Sequence, residues 1–184
     1  QATAENKILD AVGNQPAVSV LKVEDFTNAG FNTPDKPIDE DLLTRIKKEL
    51  KASTKQKTNS RKTLSDLIEK ARALKKILKA VGKETNDQAL LADDFKNAGF
   101  EVSDEVLKLM LKALADSTSV ADDTSGKKIV NSRDTLSKLI KLQIKTTKLR
   151  RFKPTVVQAV GKADLAQKLE LWAITEAGIS NIDQ

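Results

Sequence analysis

Apolar residues recur along this chain at steps of three and four, and glycines break the pattern at regular points. Leu64, Leu67, Ala71, Leu74, Leu78 and Val81 form one such seam, the spacing that lays one side of an α-helix against a core. At 1.5 Å per residue this helix would run roughly 35 Å before it stops at Gly82. A second seam, Val106, Leu107, Met110, Leu111 and Leu114, follows Ser103, Asp104 and Glu105. Serine caps helix starts, and acids suit the first turn. Its earlier counterpart has Asp39, Glu40 and Asp41 before Leu42, Leu43, Ile46 and Leu50. A third pattern, Leu90, Leu91 and Phe95, starts after Thr85-Asn86-Asp87 and ends at Gly99. The fold class these periods predict is all-α.

The pattern repeats. Ala11-Val12-Gly13, Ala80-Val81-Gly82 and Ala159-Val160-Gly161 each stand 17 residues before a second glycine: Gly30, Gly99 and Gly178. Each second glycine is expected to end a helix in the left-handed conformation, with the next residue packing back on the helix. Phe31 over Phe26, Phe100 over Phe95 and Ile179 over Ile174 fit that motif. Further on, Asn59–Ile68 and Asn131–Ile140 differ at two positions only. Lys62 and Asp66 in the first become Asp134 and Lys138 in the second, oppositely charged residues four apart on an exposed helix face.

These correspondences predict tandem three-helix units in a helical-bundle array, with two full copies and partial copies at both ends. The expected organisation is a tail of a preceding unit (1–13), repeat 1 (14–82), repeat 2 (83–161) and a partial repeat 3 (162–184). Pro34 and Pro37 stiffen a longer connection in the first copy. Polar loops are expected at Lys51–Thr58 and Ala115–Lys128, and the last long helix, through Leu136, Leu139, Ile140, Gln143 and Ile144, is expected to be interrupted at Pro154. The chain reads as a piece cut in phase from a longer array; the alternative is a complete small protein whose end segments cap two bundles.

Composition narrows the chemistry. With no His and no Cys, the commonest general base, the thiolate nucleophile and most transition-metal ligands are missing. No phosphate-cradling glycine loop is present. Asp122 and Asp123 lack the ligand spacing of a calcium loop and read as an acidic loop. The expectation is a non-enzymatic chain without catalytic residues, cofactor or metal. No apolar run approaches the roughly 20 residues that span a bilayer.

The net charge of +6 is unevenly spread. Between Gly126 and Lys153 stand ten Lys or Arg and one acid, Asp134. Lys138, Lys141, Lys145 and Lys148 step by three, four and three along one side of a helix, and Arg150, Arg151 and Lys153 follow. Such a stripe could hold phosphates, sulfated glycans or acidic lipid, or serve only as a solvated face. The lack of interleaved aromatics, Phe152 apart, argues against nucleic acid. Arg61 and Arg133 put a cation in the first turn of a helix, against its dipole. A carboxylate across the bundle would compensate, and the repeated Asp25 and Asp94 are the candidates. Trp172 reads as a core residue of the third copy.

Two segments, Lys22-Val-Glu-Asp-Phe-Thr-Asn-Ala-Gly-Phe31 and Glu176-Ala-Gly-Ile-Ser180, resemble the repeated helical modules of large bacterial adhesins. They are also similar to three-helix albumin-binding modules, in which a first helix ends in Ala-Gly-Ile before a Ser or Thr. The resemblance implies an extracellular, cell-attached, non-enzymatic repeat region. The expected function is thus a spacer or adhesive binding module of a bacterial surface protein, engaging a host or matrix protein or an acidic glycan through its basic helix face. The alternatives are a secreted effector or virulence factor that binds a host protein, and a basic helical protein associated with nucleic acid.

Overall fold

The computed structural model describes residues 2–83, 90–120 and 126–160, with backbone alone from 149 onward. The described residues form eight helices and one ladder of two-residue strands. They group into two compact units: unit 1 is Gln1–Lys79 with Asp93–Glu101, and unit 2 is built from Ala80–Ala92 and from Val102 onward. The third copy of the glycine motif, with Ile174, Gly178 and Ile179, and Trp172 beside it, lie outside the described residues.

Unit 1 contains α1 (Ala2–Ala11), α2 (Gln15–Ser19), α3 (Val23–Asn28), α4 (Glu40–Ala52), α5 (Arg61–Lys79) and, from Asp93 onward, α6 (Ala92–Asn97). Helix α1 packs on α2 and α3, α2 on α4, and α4 on α5. One cluster fills the centre, with Ile8, Val18, Leu21, Phe26, Ile46, Leu50 and Leu64 almost wholly removed from water. Each buried side chain of this size contributes roughly 1.5–3 kcal/mol.

The helix stops follow the glycine motif. Gly30 and Gly99 have φ of 78° and 82°. Behind Gly30, the Phe31 amide donates to the Phe26 carbonyl at 2.8 Å and the Gly30 amide to Thr27 at 2.9 Å. Behind Gly99, Phe100 donates to Phe95 at 2.8 Å and Gly99 to Lys96 at 2.8 Å. These are the paired bonds that satisfy the last carbonyls of a helix. Phe31 packs partly buried against the cluster that contains Phe26.

Helix starts are also encoded locally. Asp39 accepts the Leu42 amide at 2.9 Å, and Ser103 accepts that of Val106 at 3.4 Å. The near-identical Asn59–Ile68 and Asn131–Ile140 stretches are start signals: the Thr63 hydroxyl takes the amides of Asn59 and Ser60, and that of Thr135 takes those of Asn131 and Ser132.

The segment before Gly30 is two short helices rather than one, because the Asp25 carboxylate reaches back to the Lys22 amide at 2.8 Å and starts α3 afresh. In the second copy, likewise, α6 begins at Ala92, so Leu90 and Leu91 precede the helix that the apolar spacing predicted to contain them. Lys62, Asp66, Asp134 and Lys138 are exposed as expected. Neither oppositely charged pair closes into an ion pair, in keeping with the small energy of solvated pairs.

Unit 2 contains α7 (Asp104–Ala115), β1 (Ser117–Thr118), β2 (Lys128–Ile129) and α8 (Arg133–Val160), with α7 packed on α8. Two corrections to the sequence reading arise here. The polar stretch Ala115–Lys128 carries a strand at each side, paired in parallel as Ser117 with Lys128 and Thr118 with Ile129, and the Val130 amide donates to Thr118 at 2.7 Å. Also, α8 is not interrupted at Pro154 but continues to Val160. Proline lacks one amide and disfavours the turn before it by about 3 kcal/mol, but the bonds on both sides can still form, so proline bends helices as well as ending them.

Candidate binding surface

Lys138, Lys141, Lys145 and Lys148 are all exposed on α8. At 100° per residue they fall within an arc of about 80°, and they span about 15 Å of helix axis. The opposite side of the helix is the buried one, with Leu136, Leu139, Ile140 and the half-polar Thr147. Thr147 satisfies its hydroxyl on the Gln143 carbonyl at 2.9 Å. Leu142, 40 % exposed, borders the lysines. Arg150, Arg151 and Lys153 continue the helix backbone, but their side chains lie outside the described residues, as do Asp122 and Asp123.

The same register of α5 carries different chemistry. Counting from Arg61 and Arg133, the residues that correspond to the four lysines are Asp66, Glu69, Ala73 and Lys76. These four line an open cleft of about 700 Å³ in unit 1, together with Asp94 and Lys96 of α6. At its edge the Lys76 ammonium donates to the Asp94 carboxylate at 2.7 Å. The arrangement recurs at the start of the chain, where Lys7 of α1 donates to Asp25 of α3 at 2.6 Å. The two carboxylates are only 14 % and 15 % exposed, and both stand in the first turn of a short helix. There the helix dipole also favours negative charge.

Asp25 feels burial, which raises its pKa, and more than compensating hydrogen bonds and positive charge from Lys7 and the Lys22 amide, so its carboxyl sits below the ordinary value. Asp39 is lowered by the Lys75 ammonium, which reaches both of its oxygens, and by the Leu42 amide.

Asp25, engaged by Lys7, is therefore not the partner of Arg61. Arg61 reaches Glu5 at 2.7 Å, donates to the Ala29 carbonyl at 2.9 Å and lies 4.7 Å from the centre of the Phe31 ring. A carboxylate across the bundle does compensate the cation, but it comes from α1, since Asp25 is engaged by Lys7 and its own helix start. Sequence reasoning missed Arg72. Its guanidinium donates to the carbonyls of Lys36 at 2.7 Å and Pro37 at 2.8 Å, fastening the proline-containing connection to α5. An arginine among lysines on a helix face carries no signal of that role.

Among the described residues there is no cluster of acids able to hold a metal ion, and no helix long and apolar enough to cross a membrane. The chain matches no protein-family model, and comparison with curated proteins and with solved structures gives no match either.

Proposed function

We propose that this chain is a non-enzymatic helical repeat region of a bacterial surface protein, built of tandem three-helix units, that acts as a spacer or adhesive module and engages acidic ligands through α8. The observation that carries this reading is the exposure of Lys138, Lys141, Lys145 and Lys148 on one side of a helix whose only acid is Asp134. Lys138, Lys141 and Lys145 at this spacing repel one another, and an anion relieves that repulsion. The resemblance to adhesin modules supports an extracellular or cell-surface location and a host or matrix component as partner. The recurrence of the Lys7–Asp25 bond as Lys76–Asp94 supports the repeat organisation.

The test is retention on immobilised heparin. The wild-type chain should elute later than a neutral protein of the same size, and the delay should shrink with salt as ionic screening sets in. Replacing Lys138, Lys141 and Lys145 by Gln should remove most of the delay and leave the helical circular-dichroism spectrum unchanged. Elution of the wild type with the neutral control would end the acidic-ligand reading.

A further inference from the structure

We propose that the turn between α4 and α5 is a second anion-binding surface, fitted to a sulfated glycan chain. It lies in unit 1 and shares no residue with the α8 face.

Between Arg45 and Lys62 stand eight Lys or Arg and one acid, Glu49. Four of the cations are engaged. Arg45 pairs with Asp41, Lys47 donates to the Ser19 carbonyl, Arg61 pairs with Glu5, and Lys55 lies 3.9 Å from Asp10. The last pair is exposed on both sides and opens at little cost. Lys48, Lys51, Lys57 and Lys62 join none of the ion pairs among the described residues. Lys48, Lys55, Lys57 and Lys62 are exposed, and Lys51 is half-buried.

The ordinary reason for surface lysines covers only part of this set. Lys48 and Lys51, near the end of α4, suit its dipole. Lys57 stands in the connecting turn, and Lys62 in the first turn of α5, which holds no acid and whose dipole already favours an anion. Nor does the fold require these charges. The second copy builds the same helix pair, α7 on α8. Counted from the caps Asp39 and Ser103, Lys51 corresponds to Ala115; counted from Arg61 and Arg133, Lys57 and Lys62 correspond to Ile129 and Asp134.

The turn is also held in shape. The Ser53 and Thr58 hydroxyls bond each other at 2.8 Å, and the Lys57 and Thr58 amides both donate to the Thr54 carbonyl, at 2.9 Å and 3.0 Å. The Thr63 hydroxyl fixes the amides of Asn59 and Ser60. Lys55, Gln56 and Lys57 therefore project from a closed turn, which lowers the ordering cost of binding.

The neutral residues decide the occupant. Thr54, Gln56, Asn59 and Ser60 are exposed among the lysines, hydroxyl and amide groups that match the hydroxyls of a sugar ring. No aromatic residue stands between Arg45 and Lys62 to stack on a nucleic-acid base. Ile46 and Leu50 are buried, so the segment offers no apolar anchor of the kind that seats a basic surface in a membrane.

The experiment is lysine footprinting of the full chain. Amines are acetylated at low salt with and without a heparin hexasaccharide, and mass spectrometry reads the rate at each lysine. Lys55, Lys57 and Lys62 should react roughly fivefold more slowly, the protection of a site occupied about 80 % of the time, while Lys22 and Lys36 of the same unit keep their rates. The protection should persist when Lys138, Lys141 and Lys145 are replaced by Gln, and it accounts for the heparin retention that remains in that variant. Lys55→Gln with Lys57→Gln should raise the hexasaccharide concentration for half-protection of Lys62 by about fivefold, the loss of two exposed charge pairs. Desulfated heparin, vesicles containing phosphatidylserine and an oligothymidylate of equal charge should each protect less than heparin. Protection of the α8 lysines alone overturns the second surface and leaves the α8 reading standing. Protection of neither set overturns both. Protection by the vesicles or the oligothymidylate equal to that by heparin overturns the glycan as occupant.

Discussion

Alanine at Gly13, Gly82 and Gly126 separates two costs that glycine avoids. All three residues are left-handed, with φ of 72°, 74° and 74°. Their surroundings differ. A Cβ on Gly13 would stand 3.2 Å from the Ser53 carbonyl oxygen, and one on Gly82 would stand 3.2 Å from that of Ser117; around Gly126 nothing lies within 4 Å. Holding a residue with a Cβ in this conformation costs about 1–2 kcal/mol. Alanine recovers about 0.4–1 kcal/mol of this by restricting the unfolded chain. Gly126→Ala should therefore destabilise by about 0–1.6 kcal/mol.

At the other two sites the neighbouring oxygen belongs to backbone that is itself fixed, Ser53 at the end of α4 and Ser117 in β1. The glycine amides also donate to Leu50 at 3.1 Å and to Leu114 at 2.9 Å, so retreat from the clash weakens a bond. That crowding adds on the order of 1 kcal/mol, for a total near 2 kcal/mol. In a chain of this size the melting temperature would fall by roughly 4–8 °C. Urea unfolding followed by circular dichroism at 222 nm, a standard helix signal read here at about 25 °C, measures the difference. If Gly13→Ala and Gly82→Ala unfold together with Gly126→Ala, the close approach contributes nothing. If none of the three is destabilised, the left-handed geometry is wrong.

Arg61→Ala should cost about 1–2 kcal/mol by urea unfolding, since it removes the bond to the Ala29 carbonyl, the half-exposed pair with Glu5 and the contact with the Phe31 ring; Arg61→Lys should recover less than half, because an ammonium cannot donate in both directions and lie flat on the ring. Wild-type stability in Arg61→Ala would refute the bracing role. Asp25 and Asp39 both titrate below the ordinary 3.8 in the folded chain, so the unfolded state binds protons first and stability is lost as pH falls below that value through the depressed folded values. Urea midpoints should be flat above about pH 5 and decline below about pH 4, and Asp25→Asn with Asp39→Asn should reduce that decline; an unchanged acid limb in the double variant would remove these two carboxylates from the cause.

What was legible in the sequence was what local chemistry decides. The left-handed stops at Gly30 and Gly99, the caps Asp39 and Ser103 and the apolar seams depend on residues within a few positions of one another, and each was readable. The exposure of the lysines followed from helical spacing in the same way. Partners distant in sequence were not readable. Arg61 has Glu5, not Asp25, across from it because Asp25 is claimed by its own helix start, a competition that residue type alone does not reveal. The two-strand ladder is two residues per side, too short to show an alternating pattern. Pro154 carries a strong local signal, but the helix bonds on either side of it outweigh that signal.

The constant and variable spacings of the chain follow from where its ion pairs fall. Gly13 and Gly82 each precede a second glycine by 17 residues, whereas the stretch from the second glycine to the next helix cap is longer before Asp39 than before Ser103. The constant interval lies within a bracket. Lys7 before Gly13 holds Asp25 after it, and Lys76 before Gly82 holds Asp94 after it. A residue inserted within a helix of either bracket would rotate the part that follows by about 100° and carry the aspartate away from the lysine. It would also turn the adjacent phenylalanine, Phe26 or Phe95, both fully buried, out of its seat. After the second glycine the first copy secures its longer connection separately, through Arg72 on the Lys36 and Pro37 carbonyls and Lys75 on Asp39. Length can therefore vary there as long as the extra residues find their own partners, and α5 supplies them. The same helix carries Lys76 and the arginine that fastens the preceding loop, so the regular interval and the irregular one are both fixed by side chains within a span of five residues, Arg72–Lys76.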